Sequence, residues 1–398
     1  MGKLMRYRFA IAFAALALGS VVGTALAAVL PGTCKVGPGK PYSTIQSAID
    51  NPACLVVQPT LGTFTEKLTV KRTLTLAGSK FAEFTTVLQA PADATAIITV
   101  EGRGVRLKVT KLELRGPGLA GSLRGIDVLK HARVTVRNSI FRAMRPETIG
   151  AGEGFVALHV GEPTGTQVGL ANVAETRFED FQNAAIVVQG PGTQLILAQS
   201  LIIGTGDRGP DTAVPYGVIV RNGARATIFR NDFVDVRHPS GQATAILLDG
   251  ARADAQLQYN NIDRSSQGIV LADTHRAVLF RNALDENGEG IVLNGADDVD
   301  VLYNRVEGGA GVGISLAAAT GAVIYRNEFR DNDGDAVSVS ETSTDNVFTY
   351  NRAQNNGGYG FRDASSGTRT KGTANLYRSN FCAGNALGGS FPAGLCLP

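Results

Sequence analysis

The chain has no tryptophan, four histidines, four cysteines and three methionines, two of which are Met1 and Met5. Beyond the first residues Met144 is the one thioether, so soft metal ligands are scarce and a copper-handling or other redox-metal role is disfavoured. No Cys-x-x-Cys pair, no serine-centred nucleophile elbow and no phosphate loop occur. Long helical periodicity is missing. No apolar run after the first 27 residues approaches the roughly 18–20 residues of a spanning helix, so membrane insertion is not expected.

What is present begins with an export signal. Lys3, Arg6 and Arg8 precede an apolar run from Phe9 to Val22, and Ala25-Leu26-Ala27 supplies the small residues of a cleavage site. Cys34 follows Pro31-Gly32-Thr33, a poor lipoprotein box. The reading is a soluble secreted or periplasmic protein starting near Ala28, with an uncleaved anchor as the alternative. Loss of residues 1–27 removes three of 38 basic residues and none of 35 acidic ones, leaving 35 against 35. A neutral total disfavours nucleic acid and anionic membrane as main partners, because both select positive charge. The cysteines form two close pairs, Cys34 with Cys54 and Cys382 with Cys396. In an exported chain these read as disulfides, each worth roughly 3 kcal/mol in the chain-entropy picture.

A repeat dominates the rest. Gln267-Gly268-Ile269-Val270-Leu271 recurs as Glu289-Gly290-Ile291-Val292-Leu293 and Val312-Gly313-Ile314-Ser315-Leu316, then as Asp335-Ala336-Val337-Ser338-Val339. Traced back to Gly125, the small residue recurs at steps of 32, 28, 32, 28, 23, 22, 23, 23 and 24 residues. An asparagine runs in step at Asn138, Asn231, Asn260, Asn282, Asn304, Asn327 and Asn351. Repeats this short must stack to bury their apolar faces, and the period-2 pairs (Ile269 with Leu271, Ile291 with Leu293) mark one inward face. Asparagine suits a bend because it tolerates the left-handed conformation, and stacked amides hydrogen-bond along an axis. The fold predicted is all-β, a right-handed parallel β-helix over residues 28–398, with an N-terminal cap near 34–54 and a C-terminal cap near 372–398. Propeller periods are absent.

On these repeats the chain resembles the pectin-lyase-like superfamily over roughly residues 40–390. Tyr42-Ser43-Thr44-Ile45-Gln46-Ser47-Ala48-Ile49-Asp50 is similar to the short helix capping the first coil of such proteins. The resemblance implies the fold and a substrate cleft along the outer face of one sheet. It does not imply a reaction, since that fold hosts lyases, hydrolases, epimerases and non-enzymes. Asp333-Gly334-Asp335 faintly resembles the paired-aspartate strand of polygalacturonases, but the accompanying Asn-Thr-Asp-Gly, His-Gly and Arg-Ile-Lys are missing. The Asp-Pro-His of alginate epimerases is missing too; Arg237-His238-Pro239 is the nearest feature.

The repeat phase places Asp127, His159, Val187, Ile219, Leu247, Val270, Val292, Ser315, Ser338 and Arg362 on one outward stripe. Its middle, Val187, Ile219, Leu247, Val270 and Val292, is apolar, which suits a covering loop, a protein contact or a groove. At one end Asp127 is set to orient His159 as a general base, or the two are a surface pair. The long inserts Arg142–Phe155, with Glu147 and Glu153, and Gly204–Tyr216, with Asp207 and Asp211, fall nearby. Further along, Glu289 and Asp335 share a slot two coils apart, about 9–10 Å, near the spacing of an inverting glycosidase pair. Asp331, Asp333 and Asp335 offer oxygens for Ca²⁺ without matching an EF-hand loop; otherwise these are solvated turn acids. No cofactor is required.

The residue before each marker asparagine alternates: Arg230, Tyr259, Arg281, Tyr303, Arg326, Tyr350, with Arg378 set at the matching place in the last coil. Unpaired arginines are too costly to bury, so this row belongs outside or at a corner. There it either forms a cation–π ladder that stabilises the stack or binds acidic sugars. Two functions follow: an exported protein that binds, cleaves or epimerises an acidic polysaccharide, or a non-catalytic interaction scaffold using the apolar stripe.

Overall fold

In the computed structural model each lap of chain lays down three short strands, one on each of three sheets. The described residues are 32–398 except 82–83, 118–120, 148–153, 210 and 252–254; the expected signal segment at 1–27 and Glu153 lie outside them. One lap runs Gln267–Ala272, Val278–Phe280, Ala283–Asp285, and the next begins at Glu289–Asn294 directly against Gln267–Ala272. We call the sheets A, B and C after their first strands, Thr33–Val36, Gly62–Thr65 and Leu68–Val70. They hold 14, 14 and 13 strands, all parallel except Lys80–Phe81, which pairs antiparallel with Phe84–Gln89.

The period-2 alternation sets the core. Ile269, Ile291, Ile314, Val337 and Phe361 stack in register on sheet C, all fully buried. The small residue before each of them is dictated by contact with the next coil: a Cβ at Gly217 would lie 2.4 Å from the Ala245 carbonyl oxygen and 2.9 Å from the Phe233 ring. With Gly217 and Val218 both turned inward, Ile219 faces out.

At the corner between sheets A and B the marker asparagines form a buried ladder, and here one expectation is corrected. Asn231, Asn260, Asn282, Asn304, Asn327 and Asn351 are not the left-handed residues. The residues before them are, with φ of 55° at Arg230, 55° at Tyr259, 53° at Arg281, 57° at Tyr303, 53° at Arg326 and 57° at Tyr350. This turn aims each asparagine inward, and from Asn260 onward its Oδ1 accepts from both the backbone N–H and the side-chain amide of the asparagine one coil earlier. Asn304 Oδ1, for example, accepts from Asn282 at 2.9 Å twice, while Asn304 Nδ2 donates to Asn327 at 3.0 Å and to the Leu279 carbonyl at 3.0 Å. Asn380 ends the ladder.

Two register assignments also change. Asn138 is exposed in the left-handed slot (φ 49°), and Ser139 takes the ladder position, followed by Thr176 and Ser200. Arg378 pairs with Thr349, so the row beside Tyr350 continues at Ser379.

Both ends are closed as expected. The helix Ile45–Asp50, N-capped by Thr44, receives the Glu66 carboxylate on its first amides (2.9 and 3.0 Å). Arg72 donates to the Ile49, Asn51 and Cys54 carbonyls at 2.7 Å each, so opposite charges sit at opposite helix ends. Cys34–Cys54 and Cys382–Cys396 are disulfides, at sequence separations of 20 and 14.

Candidate functional site

The outward stripe of sheet C is aligned coil by coil: Asp127, His159, Val187, Ile219, Leu247, Val270, Val292, Ser315, Ser338 and Arg362 are successive register partners. Its Asp127 end opens into a cleft of about 1010 Å³. Strand residues Arg124, Asp127, His159, Val187, Gln189, Ile219 and Arg221 line it, and Thr212, Ala213, Val214 and Tyr216 close one side.

Across the cleft floor runs a hydrogen-bonded relay over four coils. Arg124 donates to Asp127 Oδ2 at 2.7 Å, and the other Asp127 oxygen meets His159 Nδ1 at 2.7 Å. His159 Nε2 meets Gln189 Nε2 at 2.8 Å, and Gln189 Oε1 accepts from Arg221 Nε at 2.9 Å. Charge logic orders the protons. Arginine only donates, so the amide oxygen of Gln189 must face Arg221 and its N–H₂ must face His159. His159 Nε2 is therefore the acceptor, and Nδ1 carries the proton given to Asp127. The result is a neutral imidazole with a defined tautomer. Burial pushes the Asp127 carboxyl up, but its contacts with His159 and Arg124 outweigh that and hold it below the ordinary aspartate value. Two guanidinia against one carboxylate leave the relay with one surplus positive charge.

The cleft is built by the irregular coils. Asp180 holds Arg145 of one insert, at 2.9 and 3.0 Å, and Arg208 of the other. His238, itself buried, bonds through Nε2 to the Thr212 carbonyl at 3.1 Å and through Nδ1 to Ser240 at 2.8 Å, which fixes the wall. Val187 packs with Val156 and Ala184 beneath Tyr216 and Ile219, so it is cleft floor and not a free contact surface. Leu247, Val270 and Val292 remain half-buried on the sheet face.

The other residues singled out from sequence lie elsewhere. Glu289 opens the sheet C strand that carries Val292, Asp335 stands in the turn before the strand Val337–Val339, and neither lines the cleft. Asp335 Oδ1 accepts the Tyr359 backbone N–H at 2.6 Å with Arg362 3.9 Å from its second oxygen, and Glu289 accepts from Gln267 at 3.4 Å. Asp335 thus serves the chain itself. Asp331 and Asp333 are exposed at the turn, and no three Asp, Glu, His or Cys converge as a metal-ligand set among the described residues.

The Arg/Tyr row is an exposed ridge at the corner of sheets A and B, away from the cleft on sheet C. Arg281 lies 5.9 Å from the Tyr259 ring centre and 5.8 Å from that of Tyr303; Arg326 lies 5.9 Å from Tyr303 and 5.6 Å from Tyr350. Arg230 is 6.0 Å from Tyr259.

Sequence reading missed Arg124, Gln189 and Arg221. Their signal was present: Gln189 and Arg221 stand two residues past the stripe positions Val187 and Ile219, hence on the same face.

Residues 244–393 match the family model described as "Right handed beta helix region". With three parallel sheets wound as above, the chain folds as a right-handed parallel β-helix. It is similar to the A-module of mannuronan C-5 epimerase AlgE6 of Azotobacter vinelandii, at 16% identity and a TM-score of 0.50, covering 87% of this chain and 90% of that one. It is also similar to the Dettilon tailspike protein gp208, at 15% identity and a TM-score of 0.57, over 79% of this chain and 62% of that one. A third similar structure is the tailspike of E. coli bacteriophage HK620, a double mutant in complex with a pentasaccharide. There the identity is 11% and the TM-score 0.52, over 82% of this chain and 60% of that one. At such identities the likeness is one of fold. No curated protein sequence matches this chain.

Proposed function

We propose that this is an exported protein that binds an acidic polysaccharide in the sheet C cleft. The observation that carries this reading is the relay Arg124–Asp127–His159–Gln189–Arg221, which exposes surplus positive charge beside an oriented imidazole. A uronate carboxylate fits Arg221 by the two-pronged geometry that guanidinium offers. In taking Arg221 it releases Gln189, and Gln189 then uncovers the basic lone pair of His159 Nε2.

That sequence prepares one kind of chemistry. The proton on the carbon next to the neutralised carboxylate passes to His159, and Asp127 stabilises the imidazolium. If the electron pair left on C5 forms a double bond to C4 as the glycosidic C4–O bond breaks, the departing oxygen taking the proton from the imidazolium, the enzyme is a lyase. If solvent water delivers a proton to the opposite face of C5 and the imidazolium loses its own to solvent, it is an epimerase. Glycoside hydrolysis is disfavoured because it needs two working carboxyl groups, and the relay holds one, already bonded twice. Two disulfides suit an oxidising compartment, and among the described residues no helix is long and apolar enough to cross a membrane. The similar structures carry names of an epimerase and of tailspikes, one with bound oligosaccharide, which accords with a sugar ligand; the substrate class here rests on the charge of the cleft.

The test is incubation with polymannuronate and polygalacturonate in D₂O. Wild type is expected to give unsaturated products or C5 deuterium incorporation, both lost in His159→Gln, with binding weakened about tenfold in Arg221→Gln by loss of a charge-assisted contact. Absence of product, exchange and gel retardation with every acidic polymer tried overturns the proposal.

A second reading draws on Leu247, Val270 and Val292, which keep aliphatic side chains half-exposed on three successive coils. It makes the protein an interaction scaffold. Light scattering on wild type and Val270→Asp checks it: a wild-type assembly that dissociates in the variant supports the scaffold, and an unchanged monomer removes it.

A further inference from the structure

The ridge at the corner of sheets A and B carries a feature that stacking stability alone does not call for. Its three arginines, Arg230, Arg281 and Arg326, make no ion pair among the described residues, although the next face of the molecule is rich in carboxylates. On that face, sheet B, Arg264 is bonded to Asp235 and Asp263, Arg305 to Asp285 and Glu307, and Arg330 to Glu328. The ridge guanidinia lie against rings of the row, and all three arginines are exposed.

The rings themselves are arranged in a continuous row. Where a coil offers arginine at the left-handed slot, the residue before it on sheet A is aromatic, as in Phe280-Arg281 and Tyr325-Arg326. Where it offers tyrosine, the preceding residue is not aromatic, as in Gln258-Tyr259, Leu302-Tyr303 and Thr349-Tyr350. One ring per coil results, edge to face at 5.6, 5.7, 5.6 and 5.9 Å from Tyr259 through Phe280, Tyr303 and Tyr325 to Tyr350. The three left-handed tyrosines are 40%, 38% and 52% exposed.

We infer that this ridge is a second polymer-binding site, for an extended 1,4-linked acidic polysaccharide lying parallel to the β-helix axis. Coils repeat at about 4.8 Å, close to the advance of one pyranose residue in such a chain, so each sugar meets one coil. Guanidinia recur every second coil, at about 9.6 Å. In a two-fold uronic acid polymer alternate residues turn over, and one edge therefore presents a carboxylate at every second sugar. Carboxylates pair with Arg230, Arg281 and Arg326, and the apolar C–H faces of the sugars rest on the rings between. The ridge carries no carboxylate or imidazole, and the role inferred for it is binding. It does not depend on the cleft reading.

The experiment is hydroxyl-radical footprinting of the intact mature protein with polymannuronate, beside affinity electrophoresis of wild type, Arg221→Gln and the triple variant Arg230→Gln/Arg281→Gln/Arg326→Gln. Expected results are protection of Tyr259, Tyr303 and Tyr350 in wild type and in Arg221→Gln, and at least tenfold weaker retention of the triple variant. Neutral dextran should give neither effect. Protection confined to the cleft overturns the site, as does unchanged retention of a triple variant whose melting point has fallen. Equal protection by single-stranded DNA of matched charge, with none by polymannuronate, overturns the polysaccharide assignment. Footprinting needs no substitution, so a variant that misfolds does not block the test.

Discussion

The cleft and the ridge are made from the same repeat by opposite means. Around the cleft the coils are 28–32 residues long, and the extra length becomes inserts pinned by Asp180 and His238. Along the ridge from Tyr259 to Tyr350 the coils are 22–24 residues, with nothing to insert, and identical slots recur in line. Irregular coils enclose a volume; regular coils print a ruler. The family match follows the same division, covering the regular coils from 244 to 393 and stopping short of the cleft residues 124–221. What makes the two halves chemically distinct is therefore loop length, while the strand-and-corner frame is shared.

The largest contrast expected between the halves is in stability. Asn304→Ala deletes an amide that makes four ladder contacts and leaves buried donors of Asn282 and the Leu279 carbonyl short of a partner, so it should cost about 3 kcal/mol. Asn138→Ala, an apparent member of the same series, should cost only about 1 kcal/mol, the strain of alanine in the left-handed slot, because that side chain stands outside the ladder. Urea titration of both variants decides this, and equal losses would erase the distinction between ladder and exposed slot.

A smaller effect is expected at the cleft. Asp127 has its carboxyl lowered in the folded state, so its contribution is present above the ordinary aspartate range near 4 and is lost as pH falls through the lowered folded value. Asp127→Asn should therefore be less stable than wild type at neutral pH, with the gap closing on acidification below about pH 4. Paired thermal melts across that range measure it, and a gap independent of pH would contradict an ionised Asp127 in the relay.

The smallest effect lies on the ridge side, on sheet A. Asp300, stacked between Val278 and Val323, has its carboxyl raised, first by burial and then by Asp298. A raised carboxyl opposes folding once ionised, so this cost is absent below the ordinary aspartate range and complete above the raised folded value. Asp300→Asn should give a slight rise in melting temperature at pH 7 and none at pH 3.

Much of this was legible in the residues. The stripe from Asp127 to Arg362 came out in correct register because alternation along a strand and a fixed slot per repeat leave one solution. The helix at Ile45–Asp50 and both disulfides followed from local pattern and from the pairing of the cysteines at the two ends. The corner was harder. Asn138 and Arg378 each fell one residue from their assigned slot, since at a bend the period-2 rule lapses and one residue changes inside to outside.

Sequence alone thus determined that the chain winds, which face of each strand is buried, and that Asp127 and His159 are neighbours, because those depend on periodicity within and between coils. Only the tertiary structure decided that Gln189 and Arg221 complete the relay, that Asp180 and His238 hold its walls, and that the Arg/Tyr row stands on a different face. These depend on how far side chains reach diagonally between coils and on the path of inserts, neither of which a repeat encodes.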